Sequence, residues 1–210
     1  MARSAPRPRA IAVDQVVYRW SRYDTPLWAR PNSDGQRWNR AREAPTQYLS
    51  LSSEGAWAEL IRAEDLTTAA EVDPVRMPLW ALQVRETRVA DYGSFEKAEA
   101  AGFPPEVLVE DDHERCRAEG ARLREHGFRG VLAPSAALPD AVNLTLFGAR
   151  LAVEWDCPEQ RRLGAFVPAR QLAVGRPPDD LLPRVRRHGA SHAGLTAFRE
   201  RRRRSRARRP

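Results

Sequence analysis

The side chains best suited to chemistry fall in four separated runs. They are Tyr18-Arg19-Trp20; Gly35-Gln36-Arg37-Trp38-Asn39; Gln47-Tyr48-Leu49-Ser50 leading into Ala56-Trp57-Ala58-Glu59; and Pro134-Ser135 followed by Asn143 and Phe147. A planar guanidinium such as Arg19 or Arg37 can grip phosphate oxygens through paired hydrogen bonds; an arginine beside an aromatic can equally be a plain surface residue. A lone carboxylate such as Glu59 can stabilise a developing cation or orient hydroxyl groups, although most helical glutamates are simply solvated. Tyr48 and Trp38 offer ring faces that can stack on a cationic ring or fill a core. Asn39 can hold its own loop through side-chain hydrogen bonds. Ser135 has no histidine–carboxylate arrangement that would make it an acyl-transfer nucleophile.

Other constellations carry less. His188 and His192 are four apart, but Gly189 and Gly194 lie among them and no third ligand is near, so that segment reads as a flexible tail and not as a metal site. Asp111-Asp112-His113-Glu114 reads as charge at a helix start. Cys116 and Cys157 are isolated, forming neither a metal-ligand pattern nor a disulfide framework, which fits a reducing cytoplasm. No G-x-G-x-x-G opens a helix after a strand, and no G-x-x-x-x-G-K-[ST] phosphate loop is present.

The elements that must position these residues follow from periodicity and punctuation. Residues 1–13, with Pro6 and Pro8 among arginines, read as a disordered leader. Val16 to Trp20 and Thr46 to Leu51 read as strands, and a helix capped by Ser52 or Ser53 should carry Ala56, Trp57, Leu60 and Ile61 on one face. Leu79 to Val89 reads as a long strand of unclear register, and 94–101 as a short helix. The clearest helix spans about 112–126, with Asp111 as N-cap, Glu114 completing a capping box and Gly127 as its left-handed terminator. Strands follow at 129–133, 142–147, 150–155 and 165–170, and prolines break the pattern from Arg176 onward. Successive strands favour antiparallel pairing, so the expected class is α+β. The expected organisation is a leader over 1–13, a catalytic domain over 14–175 and a mobile tail over 176–210.

The chain has 210 residues and a formal net charge of +7. Residues 199–210 hold eight arginines and one glutamate, which leaves 27 basic and 27 acidic side chains for the rest. The basic character therefore belongs to the tail, whereas a nucleic-acid binder usually spreads its basic footprint over a folded face. Such a tail can still contact nucleic acid nonspecifically, with strong salt dependence. No apolar run approaches the ~18 residues of a membrane span, and Met1 to Ala10 has no apolar core of a secretory signal.

Together, the four runs resemble the RES domain, named for its Arg, Glu and Ser, over roughly residues 16–170. The combination of G-x-R-W-N, a tyrosine-bearing strand and a helix with A-x-x-E carries the resemblance. It departs from the family where Gln36 precedes the arginine and where Arg40-Ala41-Arg42-Glu43 stands in place of a nearby glycine. The resemblance implies a mixed, mainly antiparallel sheet core similar to ADP-ribosyltransferases, and a toxin that degrades NAD⁺ without metal or prosthetic group. Arg37, Glu59 and Ser135 would be catalytic, and Arg19, Tyr48, Trp38, Asn39 and Asn143 would bind substrate. Arg19 and Arg37 would grip the pyrophosphate, Tyr48 would stack on nicotinamide, and the Ser135 hydroxyl would bind a phosphate or ribose oxygen. Nicotinamide leaves NAD⁺ as a neutral molecule and needs no general acid, so one carboxylate suffices to stabilise the oxocarbenium-like ribose. Inorganic phosphate, water or a protein side chain could be the acceptor, which leaves open NAD⁺ phosphorylase, glycohydrolase and protein ADP-ribosyltransferase activity; a nucleic-acid-binding module acting through the tail is the competing class. The implied partner is a separate helix-turn-helix antitoxin.

Overall fold

The computed structural model describes residues 7–156 and 165–207. Its strands are β1 (Ala10–Trp20), β2 (Thr46–Ser50), β3 (Met77–Asp91), β4 (Gly130–Pro134), β5 (Val142–Phe147), β6 (Leu151–Glu154) and β7 (Phe166–Gly175). The α-helices are α1 (Ser53–Ala63), α2 (Ala69–Val72), α3 (Phe95–Ala100), α4 (Glu114–Glu125) and α5 (Ala193–Ala207), with 3-10 turns at Pro105–Leu108 and Leu182–Arg184.

The sheet runs β1-β2-β5-β4-β3-β7-β6, and β1 also pairs with β3, so five strands close on themselves and β7-β6 extend the wall. Among the described residues, only β3–β4 and β6–β7 are parallel. The class is therefore α+β with a mixed, mainly antiparallel sheet. Val13 and Val17 from β1, Leu49 from β2, Leu82 and Val84 from β3, and Leu144 and Leu146 from β5 fill the inside of the curled sheet. Because strand side chains alternate, Tyr48 and Ser50 of β2 and their partners Thr145 and Asn143 on β5 point to the other face.

The blurred alternation along β3 has a local cause. Its buried set passes from Leu79 and Ala81 to Leu82, Val84 and Glu86, and the pairing with β7 shifts register between Leu79 and Trp80. The strand serves two neighbours on one edge, β7 for its first half and β4 for its last three residues.

Three expectations need correction. The first strand begins at Ala10, with Val13 in the core, so the end of the expected leader is part of the sheet; residues 1–6 lie outside the described residues. Asp111 does not cap α4: the N-cap is His113, without a side-chain cap bond, and the Glu114 N–H donates instead to Asp112 Oδ1 at 2.9 Å. Gly127 does adopt the left-handed conformation after α4, at φ 74°. Finally, residues 176–207 are no mobile tail. Leu181 and Val185 pack with Trp57, Leu60 and Ile61 of α1, and Leu195 and Phe198 of α5 pack with Phe95, Ala98 and Leu123. Arg199, Arg201 and Arg202 pair with Glu106, Glu96 and Glu99, so part of the charge that suggested nucleic-acid contact is met by acids of the same fold.

Candidate active site

A cavity of about 1080 Å³ opens on the β2/β5 face, beneath the loop joining β1 to β2 and beside α1. Its lining includes Arg19, Arg37, Trp38, Tyr48, Glu59 and Asn143. Helical spacing explains the α1 contribution: Ala56, Glu59, Arg62 and Ala63 face the cavity, while Trp57, Leu60 and Ile61 face the core. The helix starts where the sequence places it, with the Ser52 hydroxyl accepting from Gly55 N–H.

Glu59 is held from one side. Its Oε1 accepts from Ser135 Oγ at 2.7 Å and from Asn143 Nδ2 at 2.6 Å. Oε2 has no protein donor among the described residues. Ser135 was expected to offer its hydroxyl to a phosphate or ribose oxygen, but it is fully buried and does not line the cavity. That hydroxyl donates to Glu59 and accepts from the Ala137 and Leu138 N–H groups, at 3.1 Å each. Its geometry is that of a bracket for the carboxylate. Asn143 keeps a buried Oδ1 that has no partner among the described residues.

The two arginines differ. Arg19 lies over the Trp28 ring at 4.6 Å, and its buried Nη1 has no hydrogen-bond partner among the described residues. Burial lowers its pKa to about 10, which leaves it cationic at neutral pH. An unsatisfied, desolvated guanidinium in a cavity wall favours an anionic ligand. Arg37 occupies a tight turn closed by Gln36 N–H donating to Asn39 C=O at 2.9 Å, and its Nη1 donates to the Glu110 carbonyl at 2.8 Å.

That turn is braced from behind. The Tyr48 hydroxyl accepts from Trp38 N–H at 2.8 Å and donates to Asn39 Oδ1 at 2.7 Å, and burial pushes its pKa upward. Asn39, expected among the substrate-contacting residues, is fully buried and outside the cavity lining; its Nδ2 donates to the Asp34 and Arg40 carbonyls. Trp38 is nearly buried and belongs mainly to the core, where Phe95 and Leu123 also lie. Arg124 donates to the Trp38 carbonyl at 2.8 Å, and Gly120 lets α4 approach it, since a Cβ there would sit 2.5 Å from that oxygen. Beyond the turn, Arg42 takes a left-handed φ of 57°. A residue with a Cβ carries a steric cost in this region that a glycine would avoid.

Sequence reasoning missed Arg62, His113 and His188, which also line the cavity. Arg62 donates to the Arg186 carbonyl at 2.9 Å and pairs with Asp111. Its pKa is lowered by burial. Burial, with Arg37 and Arg117 nearby, depresses His113 to about 4. Between the ordinary histidine value near 6.5 and 4, the unfolded chain holds a proton at this position that the folded chain does not. Stability contributed by neutral His113 is thus intact above about 6.5 and falls as pH drops towards 4. Thermal melts of the wild type and His113→Gln over pH 4–7 should show a shallower acid loss in the variant. His192, also lowered by burial, retains part of the slope.

Among the described residues, no group of three or more His, Cys, Asp and Glu side chains could hold a metal ion, and no helix is long and apolar enough to cross a membrane. Residues 11–172 match a family model described as RES domain. Over 192 residues the chain is 30% identical to a Mycobacterium tuberculosis (strain ATCC 25618 / H37Rv) protein named probable NAD(+) phosphorylase Rv3189, covering 87% of this chain and 88% of that one. A chain in the crystal structure of the M. tuberculosis MbcT–MbcA toxin–antitoxin complex shares the fold with a TM-score of 0.61 at 23% identity, over 77% of this chain and 84% of that one.

Proposed function

This chain belongs to the RES domain family, and on that premise we propose that it binds NAD⁺ in the Glu59 cavity and cleaves the nicotinamide–ribose bond. The observation that carries the reading is the carboxylate itself: Glu59 is fixed through Oε1 by Ser135 and Asn143, with Oε2 left for a ligand, in a cavity it shares with Arg19 and Arg37. The relative named as a probable NAD(+) phosphorylase supports the same chemistry.

Each group then has a task. Arg19, short of a partner, takes a pyrophosphate oxygen, and Arg37 at the turn takes another. Oε2 of Glu59 faces the ribose as its C1″ gains positive charge and the bonding electrons leave with neutral nicotinamide. Asn143 Oδ1, without a partner among the described residues, accepts from a ribose hydroxyl, and the Tyr48 ring stacks on nicotinamide. Attack of inorganic phosphate on C1″ gives ADP-ribose 1″-phosphate; attack of water gives ADP-ribose and a proton. We favour phosphate as acceptor, after the named relative, and a cytoplasmic toxin restrained by a separate antitoxin, after the toxin–antitoxin complex that shares the fold.

Incubating the purified protein with NAD⁺, with and without inorganic phosphate, and identifying products by mass spectrometry tests this. Nicotinamide with ADP-ribose 1″-phosphate, formed only with phosphate, is the expected result. ADP-ribose in both arms would make the enzyme a hydrolase. Intact NAD⁺ in both arms would remove the reading.

A further inference from the structure

We infer that His192, at the start of α5 and beyond the span matched by the family model, is a positioning residue for Glu59 that acts through Ser135. The inference rests on the reading of this cavity as an NAD⁺-cleaving site. His192 is 4% exposed and packs edge-on against Phe95, with ring centroids 5.5 Å apart. Leu195 N–H donates to its Nδ1 at 3.2 Å, so Nδ1 is the acceptor nitrogen and the ring proton resides on Nε2. Nε2 lies 3.0 Å from the Ser135 carbonyl and therefore donates to it. One imidazole thus caps the first turn of α5 and clamps the backbone of the residue whose hydroxyl holds Glu59 Oε1.

The turn from Ser135 to Ala141 is tied to the C-terminal segment at two points, Ala137 C=O, which accepts from Arg186 N–H at 2.8 Å, and Ser135 C=O, which accepts from His192. Ser135 N–H is tied to Ala141 C=O at 2.8 Å, and its hydroxyl is tied forward to Ala137 and Leu138. These bonds close the turn on itself, whereas the bond from His192 anchors its backbone to the packed C-terminal helix. Burial holds the imidazole neutral, which keeps Nδ1 free to accept. A small shift of Ser135 moves Glu59, and misplacement of a catalytic group by about 1 Å can cost 10²-fold in rate.

The two functions of the ring can be separated. In His192→Asn the side-chain oxygen can still accept from Leu195 N–H, but nothing reaches the Ser135 carbonyl. In His192→Gln the longer amide can still donate to that carbonyl. With the full chain, NAD⁺ and phosphate, we expect kcat per folded molecule to fall roughly tenfold or more in His192→Asn, with KM little changed, and to stay within about threefold of wild type in His192→Gln. Wild-type kcat in both variants overturns the inference. So does a parallel fall of kcat and Tm in both, which would make the residue a packing support alone, and so does a fall confined to His192→Gln, which would make it a helix cap alone. An inactive wild type overturns the functional reading itself and the positioning role with it, whereas an active wild type confines any failure to His192.

Discussion

Replacing Glu59 with glutamine should cut nicotinamide release from saturating NAD⁺ by about 10²–10³-fold or more while leaving the fold intact. The amide matches the carboxylate in shape, and its oxygen can take over the Oε1 position, accepting from Ser135 Oγ and Asn143 Nδ2. What it cannot supply is negative charge towards the cavity, where an oxocarbenium-like ribose would need it. Dinucleotide affinity should change little, because Arg19 and Arg37, the proposed pyrophosphate contacts, are untouched. Steady-state kinetics together with titration calorimetry separate the two effects. A Glu59→Gln enzyme within tenfold of wild-type kcat would mean that the carboxylate is not what stabilises the transition state. Ser135→Ala should lose less than Glu59→Gln, since it removes one of two donors to Oε1 and leaves the charge.

The residues that touch the cavity were more legible in the sequence than those that hold them in place. Glu59 could be placed on a helix edge because Ala56 and Ala63 flank it at helical spacing, and the structure sets all three in the cavity wall. Tyr48, Ser50, Asn143 and Thr145 share a face by strand alternation alone, once β2 and β5 pair. Ser135 and Asn39 were the reverse case. Their residue types suit ligand contact, but burial decides their role, and burial depends on neighbours far along the chain. Arg62 meets Asp111 across 49 positions and the Arg186 carbonyl across 124, and His192 meets Ser135 across 57. No local pattern announces such pairs. The C-terminal segment was hidden differently: Pro177, Pro178 and Pro183 and the arginine run suggested disorder. Yet Leu181 and Val185 are four apart, and Leu195 and Phe198 three apart, which is the spacing of an apolar helical face. Those four side chains are buried.

Asp111 shows the energetic consequence of that misplacement, and its substitution should destabilise the protein by about 2–4 kcal/mol, since its carboxylate is 32% exposed while its partners are buried. As a helix cap, the role suggested by the sequence, it would contribute only about 1 kcal/mol. In the structure its carboxylate pairs with Arg62 and with Arg186 at 3.0 Å and accepts from the Gly189 N–H at 2.6 Å. Burial alone would raise its pKa, but the Gly189 N–H and the two guanidiniums together hold it well below the ordinary carboxylate value. The arginine side chains are only 6% and 8% exposed, so Asp111→Ala strands two desolvated cations beside each other. That arrangement costs far more than a lost surface ion pair. The damage should spread along two routes, loosening Arg62, one turn beyond Glu59 on α1, and weakening the hold on residues 186–189, which keep the bond from Arg186 N–H to Ala137 C=O. For a chain of this size, the loss corresponds to a fall in Tm of about 10 °C, with protease cleavage appearing first within 176–190. Asp112→Ala removes the actual acceptor for the Glu114 N–H at the start of α4 and should lower Tm by only about 2–4 °C. Equal melting shifts for the two variants would mean that Asp111 contributes no more than a simple cap.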